Sequence, residues 1–150
     1  IDPGVLKKTM QPILVAPREP EIAVNPPASL TLEIKNVEKN TVISRIFFRF
    51  ESSDLSKKAR QTLNKTINIL NKFPENKVTI EGNTCAYGSE KTNKTLSYDR
   101  AWVVRSYLTK NGINRKRIVM KGLAYKKPIA KNNTTKGRAH NRRVDVIIVK

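Results

Sequence analysis

The strongest constraint on this chain is an alternation of two periodicities that starts near residue 43 and runs to the end. Residues 43–50 (Ile-Ser-Arg-Ile-Phe-Phe-Arg-Phe) read as a strand. Leu55, Ala59, Leu63, Ile67, Leu70 and Phe73 then recur three or four apart. That spacing lays one apolar stripe along a helix, with Ser53 or Asp54 as its cap and Pro74 as its stop. Residues 77–82 form a second strand pattern, and residues 83–94 a polar loop. Ser97 is placed to cap a second helix that carries Ala101, Val104 and Leu108 on one face and ends near Asn111 and Gly112. Residues 117–122 predict a third strand, and 126–141 a loop or short helix rich in turn formers. Residues 143–149 predict a last strand, apolar on both faces and therefore central. Strands alternating with helices pack as layers. The predicted fold class is α/β: a β-α-β-α-β-(α)-β sandwich with helices packed on a mixed four-stranded sheet.

What precedes this pattern is of another kind. Six of the eight prolines fall within residues 1–28. Proline fixes φ and removes a backbone donor, so this stretch reads as an extended arm. Ile13, Leu14 and Val15 give the arm apolar groups with which to dock. Residues 29–35 alternate, with Leu30, Leu32 and Ile34 on one side, which predicts a strand with one buried face. Whether that strand joins the main sheet or another chain is left open by the sequence. The expected organisation is an arm at 1–42 and a domain at 43–150, the latter about 110 residues and long enough for a single core. No apolar run approaches the roughly 18 residues of a bilayer span. Ile1 is not a Met, which leaves room for an upstream signal peptide or lipid anchor, the one route by which membrane association is expected.

Charge narrows the partners. The chain carries a net charge of +18. Residues 1–40 hold five basic and five acidic side chains, whereas residues 41–150 hold 25 basic and seven acidic ones. So basic a surface draws polyanions: nucleic acid, an anionic membrane or wall polymer, or an acidic protein. The plainer reading is that lysines keep the domain soluble. No zinc finger, helix-turn-helix or paired RNA-stacking aromatics support nucleic acid, which is not expected as a partner. Catalysis is not expected either. The one histidine, His140, and the one cysteine, Cys85, lie 55 positions apart with no orienting acid or Gly-rich oxyanion loop beside them. No His, Cys and carboxylate set has metal-ligand spacing, no phosphate loop is present, and the acids are scattered. Neither a metal nor a cofactor is expected.

Two stretches carry the most information. The first reads Gly82-Asn83-Thr84-Cys85-Ala86-Tyr87-Gly88, then Asn93, then Leu96-Ser97-Tyr98-Asp99-Arg100-Ala101. The second reads Gly122, Pro128, then Gly137-Arg138-Ala139-His140-Asn141-Arg142-Arg143-Val144. Together they resemble the C-terminal domain of OmpA and of the peptidoglycan-associated lipoprotein Pal, found also in flagellar stator proteins. The family pattern runs G-H-T-D-x-x-G, N-x-x-L-S-x-x-R-A, G-x-x-x-x-x-P and G-R-A-x-N-R-R-V. The opening strand, residues 46–53, resembles the family's first strand as well. The resemblance implies a non-catalytic domain that holds the diaminopimelate end of the peptidoglycan stem peptide and anchors an outer-membrane or envelope complex. It also implies a periplasmic location.

In the family an Asp takes the ligand's ammonium and an Arg its carboxylate. That division is sound chemistry, because a guanidinium grips a carboxylate with two bonds and a helix N-terminus adds donors. Residue by residue, the resemblance implies that Arg100 receives the carboxylate, with Asn93, Glu51, and Arg142 or Arg143 around the same pocket. One of the two adjacent arginines is expected to face outward, since neighbours in a strand alternate. The family's ammonium-binding Asp is here Cys85, and Arg49 stands where members often carry an acid. A neutral thiol is a weak acceptor, so losing that charge-assisted bond costs on the order of 1.5–3 kcal/mol. Two functional readings follow. One is peptidoglycan anchoring. The other is a structural subunit of an envelope machine, such as a secretion-system core, with wall binding weakened or lost and other subunits met through residues 1–42.

Overall fold

A computed structural model describes residues 24–150. The predicted docking groups at Ile13, Leu14 and Val15 lie outside the described residues. Five strands form one sheet in the order β1-β2-β5-β3-β4. They are β1 (Leu30–Thr31), β2 (Thr41–Phe47), β3 (Val78–Gly82), β4 (Ile118–Gly122) and β5 (Arg143–Ile148). β3 and β4 run parallel, and the other pairings are antiparallel, so the sheet is mixed. β5 lies in the middle, as its apolar sequence predicted. The helices are α1 (Lys57–Lys72), α2 (Glu90–Lys110) and α3 (Thr135–Asn141).

One face of the sheet packs under α1 and α2. Ile46, Val144, Val146, Ile148, Val78 and Ile80 meet Leu63, Ile67, Leu70, Val104 and Leu108 in a single core. On α1 the buried positions follow the predicted stripe, and Thr66 joins it because its hydroxyl meets Ser44 Oγ at 2.6 Å. Thr66 Oγ1 also donates to the Thr62 carbonyl at 3.0 Å, so both buried hydroxyls are satisfied.

Several boundaries differ from the sequence reading, each for a local reason. The fifth strand comes from the arm, whose Leu30–Thr31 pairs antiparallel with β2. Its inward residue is Thr31, whose hydroxyl donates to the Thr62 carbonyl at 3.2 Å. Leu30 and Leu32 are 51% and 50% exposed, so the apolar side of that alternation is the outer one. Ser56, not Ser53 or Asp54, caps α1, accepting from the Ala59 N–H at 3.0 Å. α2 begins two turns earlier than predicted, with Ser89 as its cap. Those first turns, residues 90–95, carry no apolar residue, so they leave no periodic signal. Ser97 sits mid-helix and buried, donating to the Lys94 carbonyl and accepting from the Ala124 N–H. β2 stops at Phe47. The Phe48 N–H still bonds the Arg142 carbonyl at 2.9 Å, and the segment that follows meets α2 through Arg100, which donates to the Arg49 and Ser52 carbonyls.

Candidate functional site

Two glycines decide where α2 lies. Gly82 and Gly122 are paired across β3 and β4. A Cβ on Gly82 would collide with the Ser97 carbonyl, and one on Gly122 would come within 2.9 Å of the Tyr98 nitrogen. The bare backbones let the helix settle directly on the ends of these strands. Arg100, one turn further along, then points across the sheet to the segment after β2.

The guanidinium of Arg100 is fully buried. Nε donates to the Ser52 carbonyl at 2.7 Å, Nη1 to that of Asn83 at 3.0 Å and Nη2 to that of Arg49 at 3.1 Å. Its carbon stands 5.3 Å from the centre of the Phe48 ring. Among the described residues no carboxylate pairs with it. Burial lowers its pKa from the ordinary range to about 9; an ionised Cys85 would raise it, and the Arg142 charge lowers it further. A guanidinium has five N–H groups. Three are committed to those carbonyls, which leaves one on each terminal nitrogen.

Arg142 grips the same segment from the other side. It leaves the end of α3, where Asn141 ties the preceding loop by accepting from the Ile129 and Ala130 N–H groups. Its Nε donates to the Phe48 carbonyl at 3.2 Å, and its guanidinium lies 6.0 Å from the Phe50 ring. Phe50 in turn meets the edge of Tyr87 at 5.1 Å. Residues 48–52 are thus clamped between two cations and an aromatic contact.

The loop after β3 supplies acceptors. Asn83 Oδ1 and Thr84 Oγ1 are buried and without a hydrogen-bond partner. Cys85 beside them is buried, with 3% of its surface exposed. Asn93 is buried and acts as a strut, its amide donating to the Tyr87 carbonyl at 2.9 Å. Glu51 is exposed and takes a positive φ of 56°, a strained conformation for a residue with a side chain. With Lys91, Thr92, Thr95, Leu96 and Asp99 it lines an open groove of about 430 Å³ along α2.

The structure therefore brings Arg100, Arg142, Cys85 and the Asn83–Thr84 pair to one end of the sheet, with Asn93 and Glu51 at the edges. Arg143 is placed elsewhere. Its Nε meets Asp145 Oδ1 at 3.1 Å, and Asp145 also takes Arg45 at 3.2 Å. Its Nη2 donates to the Lys127 carbonyl. The expected outward arginine is absent: Arg142 and Arg143 are both 1% exposed. Arg142 precedes β5 and so escapes its alternation, while Arg143 faces the side covered by residue 127. Sequence reasoning missed Asn83 and Thr84 as free acceptors and Phe48 and Phe50 as cation platforms. Among the described residues no group of three or more His, Cys, Asp or Glu gathers, and no helix is long and apolar enough to cross a membrane.

The arrangement gathers fixed donors and acceptors at one end of an α/β sandwich, and the chain is similar to known proteins. The OmpA family profile matches residues 47–142. Outer membrane protein A of Bordetella avium is 39% identical over 103 residues, 69% of this chain and 53% of that protein. The peptidoglycan-binding protein ArfA of Mycobacterium tuberculosis is 41% identical over 88 residues, 59% of this chain and 27% of that protein. Among solved structures, the peptidoglycan-associated lipoprotein of Burkholderia pseudomallei superposes with a TM-score of 0.66 at 27% identity, over 69% of this chain and 88% of that one. The chain belongs to the OmpA family. These relatives are an outer membrane protein, a peptidoglycan-binding protein and a peptidoglycan-associated lipoprotein, and the chain spans about half or less of the two curated ones.

Proposed function

We propose that this domain binds peptidoglycan non-covalently in the periplasm, receiving the carboxylate of a diaminopimelate stem peptide at Arg100, and so anchors an outer-membrane or envelope assembly. The observation that carries the reading is a buried guanidinium without a carboxylate partner among the described residues. A carboxylate accepting from its two remaining N–H groups would offset a charge that burial penalises. Asn83 Oδ1 and Thr84 Oγ1 offer the nearby oxygens for the ligand's ammonium. Access requires movement of residues 49–52, because Arg100 is covered by its own backbone. Cys85 stands where the family carries an Asp, so amide and hydroxyl oxygens hold the ammonium in place of a carboxylate and the affinity is modest.

Titration calorimetry with a diaminopimelate-containing stem peptide tests this on three proteins. Cys85→Asp is expected to bind about tenfold to a hundredfold more tightly than the parent, the value of a charge-assisted bond. Arg100→Ala is expected to bind neither by calorimetry nor in a pulldown with purified sacculi. A parent protein that fails to bind sacculi at low salt would sink the reading.

A second reading has its own support. Arg100 already donates to three carbonyls of its own chain and is fully enclosed. A side chain so placed also serves as a structural rivet, as in a subunit of an envelope machine that no longer holds the wall. No gain from Cys85→Asp, together with loss of assembly on deletion of residues 1–42, would favour it.

A further inference from the structure

The loop after β3 offers only neutral groups. From Gly82 to Ser89 the chain holds no charged residue. Asn83 and Thr84 are 1% and 2% exposed, and their side-chain oxygens, Oδ1 and Oγ1, are buried without a hydrogen-bond partner. Buried oxygens left in that state call for a donor. The Asn83 amide nitrogen already donates to the Glu81 carbonyl at 3.0 Å, so what this side chain has left is an acceptor. The buried carboxylates of the neighbouring strands are engaged, Glu81 with Lys127 at 3.0 Å and Asp145 with Arg45 and Arg143 at 3.2 and 3.1 Å.

The charge at this end of the sheet is positive. Arg100 and Arg142 are both buried, and near enough that the Arg142 charge lowers the pKa of Arg100. A third cation beside them is repelled by both, and burial among neutral dipoles penalises it again. An amide N–H escapes both penalties, because it carries no net charge and still donates to an amide or hydroxyl oxygen. A carboxylate at position 85 would reverse the preference, since it pairs with an ammonium through a charge-assisted bond. That position holds a buried cysteine instead.

We propose that the site accepts a diaminopimelate end whose amine is acylated at least as readily as one whose amine is free. The inference rests on the reading that Arg100 receives the ligand's carboxylate, and it concerns the other half of the ligand. An amine joined to the carboxyl of a second stem peptide is an amide, so the ligand class is a cross-linked wall peptide as well as a free stem. Its N–H donates to Asn83 Oδ1 or Thr84 Oγ1, while the carboxylate takes the two remaining N–H groups of Arg100. The open groove of about 430 Å³ along α2 includes Glu51, in the segment that covers Arg100, and offers the joined chain a path.

The test uses the full chain and three synthetic stem peptides: one unmodified, one with the diaminopimelate side-chain amine acetylated, and one with the side-chain carboxyl amidated. Calorimetry on the parent protein is expected to give the acetylated peptide an affinity equal to or above that of the unmodified one. The amidated peptide is expected to bind at least about tenfold more weakly, the loss of a charge-assisted bond. In Cys85→Asp the order should invert, with the unmodified peptide favoured over the acetylated one by about tenfold to a hundredfold. A thermal melt establishes that this variant folds, and the comparison within the parent stands without it. A parent that binds the unmodified peptide but loses tenfold or more on acetylation overturns the inference and leaves the Arg100 reading intact. A parent that binds the amidated peptide as well as the others sinks the Arg100 reading instead, and one that binds none of the three sinks both.

Discussion

Truncating Arg100 takes a donor from three carbonyl oxygens; that of Arg49 keeps the Ser52 N–H, whereas those of Ser52 and Asn83 lose the Arg100 guanidinium. Each unpaired buried acceptor costs about 1–3 kcal/mol. Arg100→Ala is therefore expected to destabilise the fold by several kcal/mol, read as a lower urea midpoint with an unchanged slope. Arg100→Lys should recover little, because one ammonium on a flexible stem cannot span three carbonyls set by a planar fork. The same burial sets a pH dependence for ligand binding. The Arg100 pKa is lowered to about 9, so its charge is full at neutral pH and lost as pH rises through that value. Stem-peptide affinity should stay level from about pH 6 to 8 and fall above 9. The carboxylate raises the Arg100 pKa in the complex, so binding takes up protons in the upper range. Calorimetry in buffers of different ionisation enthalpy measures that uptake, and affinity that is flat to pH 10 would separate binding from Arg100.

Helix α2 is useful because the sheet lets it come close. Gly82→Ala puts a methyl group against the Ser97 carbonyl, and neither backbone has room to give. The expected cost is about 1–3 kcal/mol or more, the range for overpacked interiors. Moving α2 also moves Arg100, so ligand affinity should fall further than stability alone explains. Comparing stem-peptide binding at a temperature where both proteins are fully folded separates the two effects. The same helix shows what a sequence discloses. Its second half was legible because Ala101, Val104 and Leu108 mark one face. Its first turns were not, because Glu90 to Thr95 face solvent or the loop and carry no stripe. The arm strand was legible as an alternation but not in its polarity, since Thr31 turns inward for one hydroxyl bond while Leu30 and Leu32 stay exposed. Arg100 was found through its motif. Its three carbonyl partners lie in the segments around residues 50 and 83, which only the folded chain brings together. The burial of both Arg142 and Arg143 was hidden for the same reason, because the residues that cover them are remote in sequence.

On the scale of the whole molecule the dominant fact is an excess of positive charge that the fold leaves largely unpaired. The domain from residue 41 onward has 25 basic and seven acidic side chains. Among the described ion pairs, Asp145, Glu81 and Glu90 are already engaged, so few anions remain to offset the rest. Like charges held on one compact surface repel, and unfolding relieves that repulsion. Salt should therefore stabilise the folded chain rather than weaken it. Between about 10 mM and 0.15 M salt the screening length falls from roughly 30 Å to about 8 Å, which removes most repulsion across the domain but little within buried pairs. The melting temperature is expected to rise over that interval. Sacculus binding should move the opposite way and weaken, because its long-range attraction is screened while the folded state gains. Scanning calorimetry and sacculus pulldown across one salt series measure both. A melting temperature that falls with salt would mean that the net charge is compensated locally, and attraction to a polyanionic wall would then have to come from the Arg100 site alone.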